Sequence, residues 1–215
     1  MGRYHLPFLV LEVRNMVAQT VEDDEDEFGR IDCPVLVTER LVLRLPHEED
    51  IEAIASLAGN RRVAEMLAAM PHPYSQENAA DFVRRAQAGQ IGRCVYAITL
   101  ADSGHFVGCC GINNGHPEPG LALGYWIGEP HWGRGYATEA AHALTDLAFR
   151  ATNTDRLHAS CRVTNAASRR VIHKCGFQYA GMGMMDSRAA GRVTVERYFL
   201  DRRTWIGLRA WGAAR

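Results

Sequence analysis

Long apolar runs and an excess of either charge are both missing from this chain. The most apolar part of its N-terminal region, Leu6 to Leu11, is far shorter than the ~20 residues that a membrane-spanning helix needs. Glu12 and Arg14 follow it at once, and no small-residue cleavage site is evident, so neither an anchor nor a signal peptide is expected. The Met-Gly start lacks the Ser or Thr of a myristoylation pattern. Basic and acidic residues nearly cancel (24 Lys and Arg against 25 Asp and Glu), which leaves no overall field to favour nucleic acid or a membrane surface. Cysteines 33, 94, 109, 110, 161 and 175 lack the paired spacing of a zinc site. Reduced, mostly buried thiols in a cytoplasmic protein are expected, with no metal. No internal repeat is found.

With 215 residues, 47% of them hydrophobic, the chain can bury one sizeable core and still carry an extension. Near the N-terminus Glu22 to Glu27 is a run of six acids, most simply a solvated linker; a flap that attracts a basic substrate is the alternative. Arg40 to Pro46 alternates like a strand. His47 to Ala58 and Val63 to Met70 read as helices, and Ser75-Gln76-Glu77-Asn78 resembles a capping arrangement opening a third. Cys94 to Leu100 and Phe106 to Ile112 are β runs joined by a turn at Asp102-Ser103-Gly104, and His116 to Gly120 is a proline-bounded loop. Arg156 to Thr164 alternates, Asn165 caps a helix that stops at Gly176, and Phe177 to Gly181 with Arg192 to Leu200 suggests a terminal hairpin. Loops are expected around Pro71 to Tyr74, His116 to Gly120 and Met182 to Ala190. This mixture fits an α/β (α+β) domain of three layers around a mostly antiparallel sheet.

The most informative stretch is His131-Trp132-Gly133-Arg134-Gly135-Tyr136-Ala137-Thr138-Glu139-Ala140. It joins a strand-like run, Leu121 to Ile127, to a helical run from Ala137 to Arg150 with one apolar stripe. Two glycines ahead of a helix let the backbone turn sharply and let a ligand approach. The first helical turn presents unpaired N–H groups and a partial positive charge, which together cradle an anion, most naturally phosphate. Arg134 adds a guanidinium suited to phosphate oxygens. The final Gly-Lys-Ser/Thr of a nucleoside triphosphate loop is absent, as are the third glycine and downstream acid of a dinucleotide site.

At these residues the chain resembles the Gcn5-related N-acetyltransferase (GNAT) superfamily. That family holds the pyrophosphate of acetyl-CoA on a Gln/Arg-x-x-Gly-x-Gly/Ala loop that opens a helix. The matching register is Trp132 to Ala137, with Trp132 departing at the first position. Trp132, Gly124-Tyr125-Trp126 and the Ala137-Thr138-Glu139-Ala140 opening resemble the ribosomal-protein alanine N-acetyltransferase branch. Thr38 to Arg44, Phe106 to Ile112, Asn165 to Ser168 and Lys174 to Phe177 resemble the same branch, in order. The resemblance implies a domain over 38–204, an N-terminal extension over 1–37 and a C-terminal tail over 205–215.

It further implies transfer of acetyl from acetyl-CoA to a primary amine, either a protein N-terminus or a small molecule, by direct attack in a ternary complex. Cofactor contacts fall on Trp126, Ile127, Gly128, Trp132, Gly133, Arg134, Gly135, Tyr136, Ala137, Thr138, Asn165, Ser168 and Arg169. The strand carrying Trp126 to Gly128 is expected to splay from its neighbour and pair with the pantetheine arm. Ser168 would sit beside the sulfur. Arg170, His173 and Lys174, with Arg169, could meet the 3′-phosphate or form a solvated face. Arg61, Glu65, Met66, His72 and Tyr74 could touch the acceptor. Many relatives carry a tyrosine acid where Ile172 stands and a glutamate base where Ala122 stands. The amine proton would then pass to Glu118 or to a water held by Tyr125. The same departures permit a catalytically weak acyl-CoA-binding sensor or structural module. Homodimerisation is possible.

Overall fold

The computed structural model describes residues 31–115 and 120–212. One eight-stranded sheet runs through it. In chain order its strands are β1 (Leu36–Val37), β2 (Leu41–Arg44), β3 (Cys94–Leu100), β4 (Phe106–Asn114), β5 (Leu121–Ile127), β6 (Arg156–Arg162), β7 (Gln178–Ser187) and β8 (Gly191–Asp201). Their spatial order is β1-β2-β3-β4-β5-β6-β8-β7. Every pairing is antiparallel except that of β5 with β6. The helices are α1 (Ile51–Ala58), α2 (Arg61–Ala64), α3 (Gln76–Gln87), α4 (Tyr136–Ala151), α5 (Ala166–Lys174) and α6 (Arg202–Gly212).

Each face of the sheet has its own apolar layer, so three layers result. On one face Ile54 of α1 and Ala79 and Val83 of α3 pack on Ala97, Phe106 and Cys109. On the other, Ala140, Leu144 and Ala148 of α4 and Ile172 of α5 pack on Leu43, Tyr96, Ile112 and Leu121. β4 lies between the layers and is buried on both sides from Phe106 to Ile112. The first turn of α4 is locked to the start of β2. Glu139 Oε1 accepts from Thr38 Oγ1 at 2.6 Å and from the Arg40 amide at 2.8 Å, while Arg40 Nε donates to Oε2 at 2.8 Å.

Several sequence expectations change. The helix expected over Val63 to Met70 shortens to Arg61–Ala64, because carbonyls that would continue it are drawn elsewhere. The Glu65 carbonyl accepts from Arg162 Nη1 at 2.5 Å, that of Leu67 from Ser187 Oγ at 2.7 Å, and that of Ala68 from the Arg188 amide at 2.9 Å. Of the loop expected over Met182 to Ala190, only 188–190 form a turn. β7 continues through the rest to Ser187, paired with β8 after a register shift between Tyr179 and Gly181. Nor are all six cysteines free: Cys33 and Cys94 are joined, with Cα atoms 5.7 Å apart, while Cys109, Cys110, Cys161 and Cys175 are free and buried. No paired-cysteine motif could show that a strand residue meets one 61 positions earlier. Residues 202–212 form helix α6, whose Trp205 ring stacks on Phe149 at 5.2 Å and whose indole N–H donates to Asp146 at 2.8 Å.

A cleft between parted strands

β5 and β6 run parallel but pair only at Leu121↔Leu157 and Ala122↔His158. Beyond that point they diverge, and Leu123 to Ile127 keep partners on the β4 side alone. A cleft of about 980 Å³ opens there, within the range usual for small-molecule sites. Leu123, Gly124, Tyr125, Trp126 and Ile127 line it from β5, and Ala159, Ser160 and Cys161 from β6.

At the end of β5 a short 3-10 turn, Glu129–His131, leads into the glycine turn. Gly133 and Gly135 have φ of +77° and +84°, conformations that disfavour a side chain. A Cβ on Gly133 would meet nothing within 4 Å, so this part of the turn faces open space. The first backbone bond of α4 is donated by Glu139 to the Gly135 carbonyl at 3.1 Å. The amides of Tyr136, Ala137 and Thr138 precede that bond and are left unpaired by the helix. Gly133, Gly135, Tyr136, Ala137 and Thr138 all line the cleft. Trp132 also lines it, and its indole N–H is held by the Ile127 carbonyl at 2.6 Å.

Opposite stands the start of α5. Asn165 Oδ1 accepts the Ser168 amide at 3.0 Å, which caps the helix and leaves Nδ2 as the donor available to a ligand. The Tyr125 hydroxyl reaches across the parted strands to Ser168, 2.9 Å from Oγ. Burial pushes the Tyr125 phenol well above its ordinary value, so it stays protonated at neutral pH. Burial likewise raises the Cys161 thiol beside them to about 11, which keeps it a neutral lining group.

Of the site residues expected from sequence, Tyr125, Trp126, Ile127, Trp132, Gly133, Gly135, Tyr136, Ala137, Thr138, Asn165 and Ser168 come together around this cleft. Arg134 has an exposed side chain, and its carbonyl accepts from Arg40 Nη1 at 2.9 Å. Gly128 is buried beside Leu57 and lies outside the lining. Arg169 turns to Glu196 (2.7 Å) and the Val163 carbonyl (2.8 Å), and Arg170 and Lys174 line the cleft instead. Glu118 lies outside the described residues. Glu65 and Met66 also line the cleft, with Val63, Leu67 and Met185, whereas Arg61, His72 and Tyr74 do not. Glu65 is the one carboxylate among the described lining residues, and its hydrogen bond from Arg61 holds it below the usual carboxylate range.

The sequence assigns no site role to Arg62, Asn113, His131 or Met185, all of which line the cleft. His131 Nδ1 is buried without a hydrogen-bond partner, and its ring meets His105 edge-on at 5.4 Å. Arg40 was visible only as a strand residue, yet it pins the glycine turn. A basic residue two positions after Thr38 carries no signal of that role.

A family model for the acetyltransferase (GNAT) domain matches residues 40–178. The chain is 29% identical to the uncharacterized N-acetyltransferase p20 of Bacillus licheniformis, over 80% of this chain and 98% of that one. Its fold matches a GCN5-related N-acetyltransferase from Brucella melitensis with a TM-score of 0.71 at 18% identity, over 87% of each chain. It also matches the microcin C7 self-immunity acetyltransferase MccE, solved with acetyl-CoA and AMP, with a TM-score of 0.63 at 18% identity, over 76% of this chain and 93% of that one. The parted strands, the glycine turn and the matched family model agree: this chain belongs to the GNAT acetyltransferases.

Proposed function

We propose that this protein transfers an acetyl group from acetyl-CoA to a primary amine, the two substrates meeting in the cleft between β5 and β6. One observation carries the reading: the strands part after Ala122 and His158, directly ahead of an open glycine turn that starts a helix. The amides around Gly133 to Thr138 suit a diphosphate, and the unpaired edge of β5 near Tyr125 to Ile127 suits the amides of a pantetheine arm. Asn165 Nδ2 adds a donor from the other side. Acetyl-CoA itself supplies an acyl group already activated as a thioester, so the protein's tasks are placement and proton handling.

The acceptor nitrogen forms a bond to the acetyl carbon as the carbon–sulfur bond breaks. The sulfur gains a proton and the amine loses one. Ser168 is the group suited to the first transfer, its Oγ donating toward sulfur while the Tyr125 hydroxyl donates to Oγ. The amine's proton passes to water or to Glu118. An α-amino group, with an ordinary pKa of about 7.7–8.0, needs less help than a lysine, which favours a protein N-terminus or a small amine of similar basicity.

Incubation with acetyl-CoA and a panel of N-terminal peptides and small amines, followed by thiol release and product mass, tests this. Thiol release matched by a 42 Da gain on an amine is expected, the mass of one acetyl group replacing a hydrogen. Tight acetyl-CoA binding with no release on any amine would identify an acyl-CoA-binding module instead.

A further inference from the structure

Helix α2 lines the cleft through Arg62 and Val63 and is tied at one end to the segment that follows β5 and at the other to the end of β6. At its N-terminal end Asn60 caps the helix through Oδ1, 2.9 Å from the Arg62 amide, and donates Nδ2 to Glu129 Oε2 at 2.5 Å. Arg62 pairs with the other oxygen of the same carboxylate and lies 5.3 Å over the Trp132 ring. Glu129 and Trp132 belong to the segment that leaves β5 and enters the glycine turn. At the other end of α2, Arg162, the last residue of β6, donates to the Glu65 carbonyl at 2.5 Å. Val63, Glu65 and Met66 line the cleft in the same stretch.

A single exposed ion pair stabilises little. Here both Glu129 oxygens are engaged, its side chain is only 29% exposed, and the pair is continuous with the helix cap and an aromatic face. Four residues of helix cannot hold their own shape, so α2 is placed by the burial of Val63 and Ala64 together with these ties. Trp132, which Arg62 covers, and Cys161, next to Arg162, line the cleft, so a ligand between β5 and β6 would touch the neighbours of both attachment points.

We propose that Asn60, Arg62, Glu129 and Arg162 are positioning residues that make α2 a strap, coupling occupancy of the parted strands to the order of the acceptor wall. The inference rests on the proposed reading that acetyl-CoA occupies this cleft. Acetyl-CoA bound against the glycine turn steadies Glu129 and Trp132, and through them α2. Because coupling is reciprocal, a strap that orders α2 on binding also tightens acetyl-CoA by the same factor.

Hydrogen exchange of the full chain, with and without saturating acetyl-CoA, separates the two claims. Slowed exchange at 133–138 reports cofactor binding, and slowed exchange at 61–65 reports the strap. In the wild type both regions slow, α2 by about 10-fold, within the usual range of site-to-site coupling. In Glu129→Ala the turn is still protected at saturation, the response of α2 falls below about 2-fold, and acetyl-CoA binds about 5-fold more weakly. Arg62→Met, which leaves the carboxylate in place, reproduces the effect if Glu129→Ala folds poorly. A protected turn with an unresponsive α2 in the wild type would overturn the strap alone, as would an α2 response retained in both variants. An unprotected turn would remove the cofactor reading and the strap with it.

Discussion

The two walls of the cleft differ in how the chain makes them. The glycine-turn wall is one continuous stretch, from β5 through residues 128–135 into α4, and what it offers a ligand is mostly backbone. The facing wall is assembled from remote pieces: Arg162 reaches Glu65 across 97 positions and Ser187 reaches Leu67 across 120. A backbone site tolerates varied side chains but little change in dihedral angle. A wall built from side chains and borrowed carbonyls can be reshaped at many positions, which suits a surface that selects among acceptors.

The sharpest way to break this contrast is Gly135→Val. At φ +84° a β-branched side chain is strained, and a Cβ there lies 3.3 Å from Arg40 Nη2. Acetyl-CoA affinity is expected to fall on the order of 1000-fold, roughly 4 kcal/mol, measured by calorimetry with the fold monitored by circular dichroism. Next, Ser168→Ala and Tyr125→Phe should each lower kcat about 100-fold while leaving acetyl-CoA affinity within about 2-fold. Since burial raises the Tyr125 phenol, its acid form persists above its ordinary pKa of about 10. No loss of kcat from this group is therefore expected as pH rises from 7 to about 10, and a loss that Tyr125→Phe abolishes would contradict the assignment.

Stability tests the frame behind each wall. Arg44 forms two hydrogen bonds to Asp50, at 2.7 and 2.8 Å, and the aspartate is 4% exposed. Asp50→Ala should cost about 3 kcal/mol in urea unfolding. Burial opposes ionisation of Glu139, but its bonds from Thr38 and Arg40 outweigh that and lower its pKa. Its contribution is therefore complete above the unfolded value, near 4.5, and is lost as pH falls through the lower folded value. Glu139→Gln should cost about 1 kcal/mol at pH 7, with the difference vanishing in acid. Smallest of all, Arg169→Ala should change acetyl-CoA affinity less than about 2-fold, because this guanidinium is committed to Glu196. Arg170→Ala, on the cleft, should cost about 5-fold, near 1 kcal/mol. The reverse ranking would show that α5 presents a different face to the cofactor.

The same contrast explains what could be read in advance. Strand β5, the glycine turn, α4 and the Asn165 cap rest on local rules of periodicity, turn chemistry and capping, and they emerge at the expected positions. So does the parting of β5 from β6, which follows from the family likeness. The short α2 and the long β7 do not emerge, because each depends on a partner far along the chain. Helix periodicity over Val63 to Met70 was real, but Arg162, Ser187 and Arg188 claim the carbonyls beyond α2. The glycines and methionines of residues 181–185 carry weak strand propensity, and pairing with β8 overrides it. Arg169 and Arg170 are indistinguishable by composition, and only the packing of Glu196 separates their roles.

Everything proposed for the cleft requires that the glycine turn and the free edge of β5 hold acetyl-CoA. A crystal structure of the protein grown with acetyl-CoA measures that directly. The diphosphate is expected within about 3 Å of the amides between Gly133 and Thr138, with the pantetheine arm beside β5 and its sulfur near Ser168. Cofactor bound elsewhere, or this turn left without it at saturating concentration, would contradict the account.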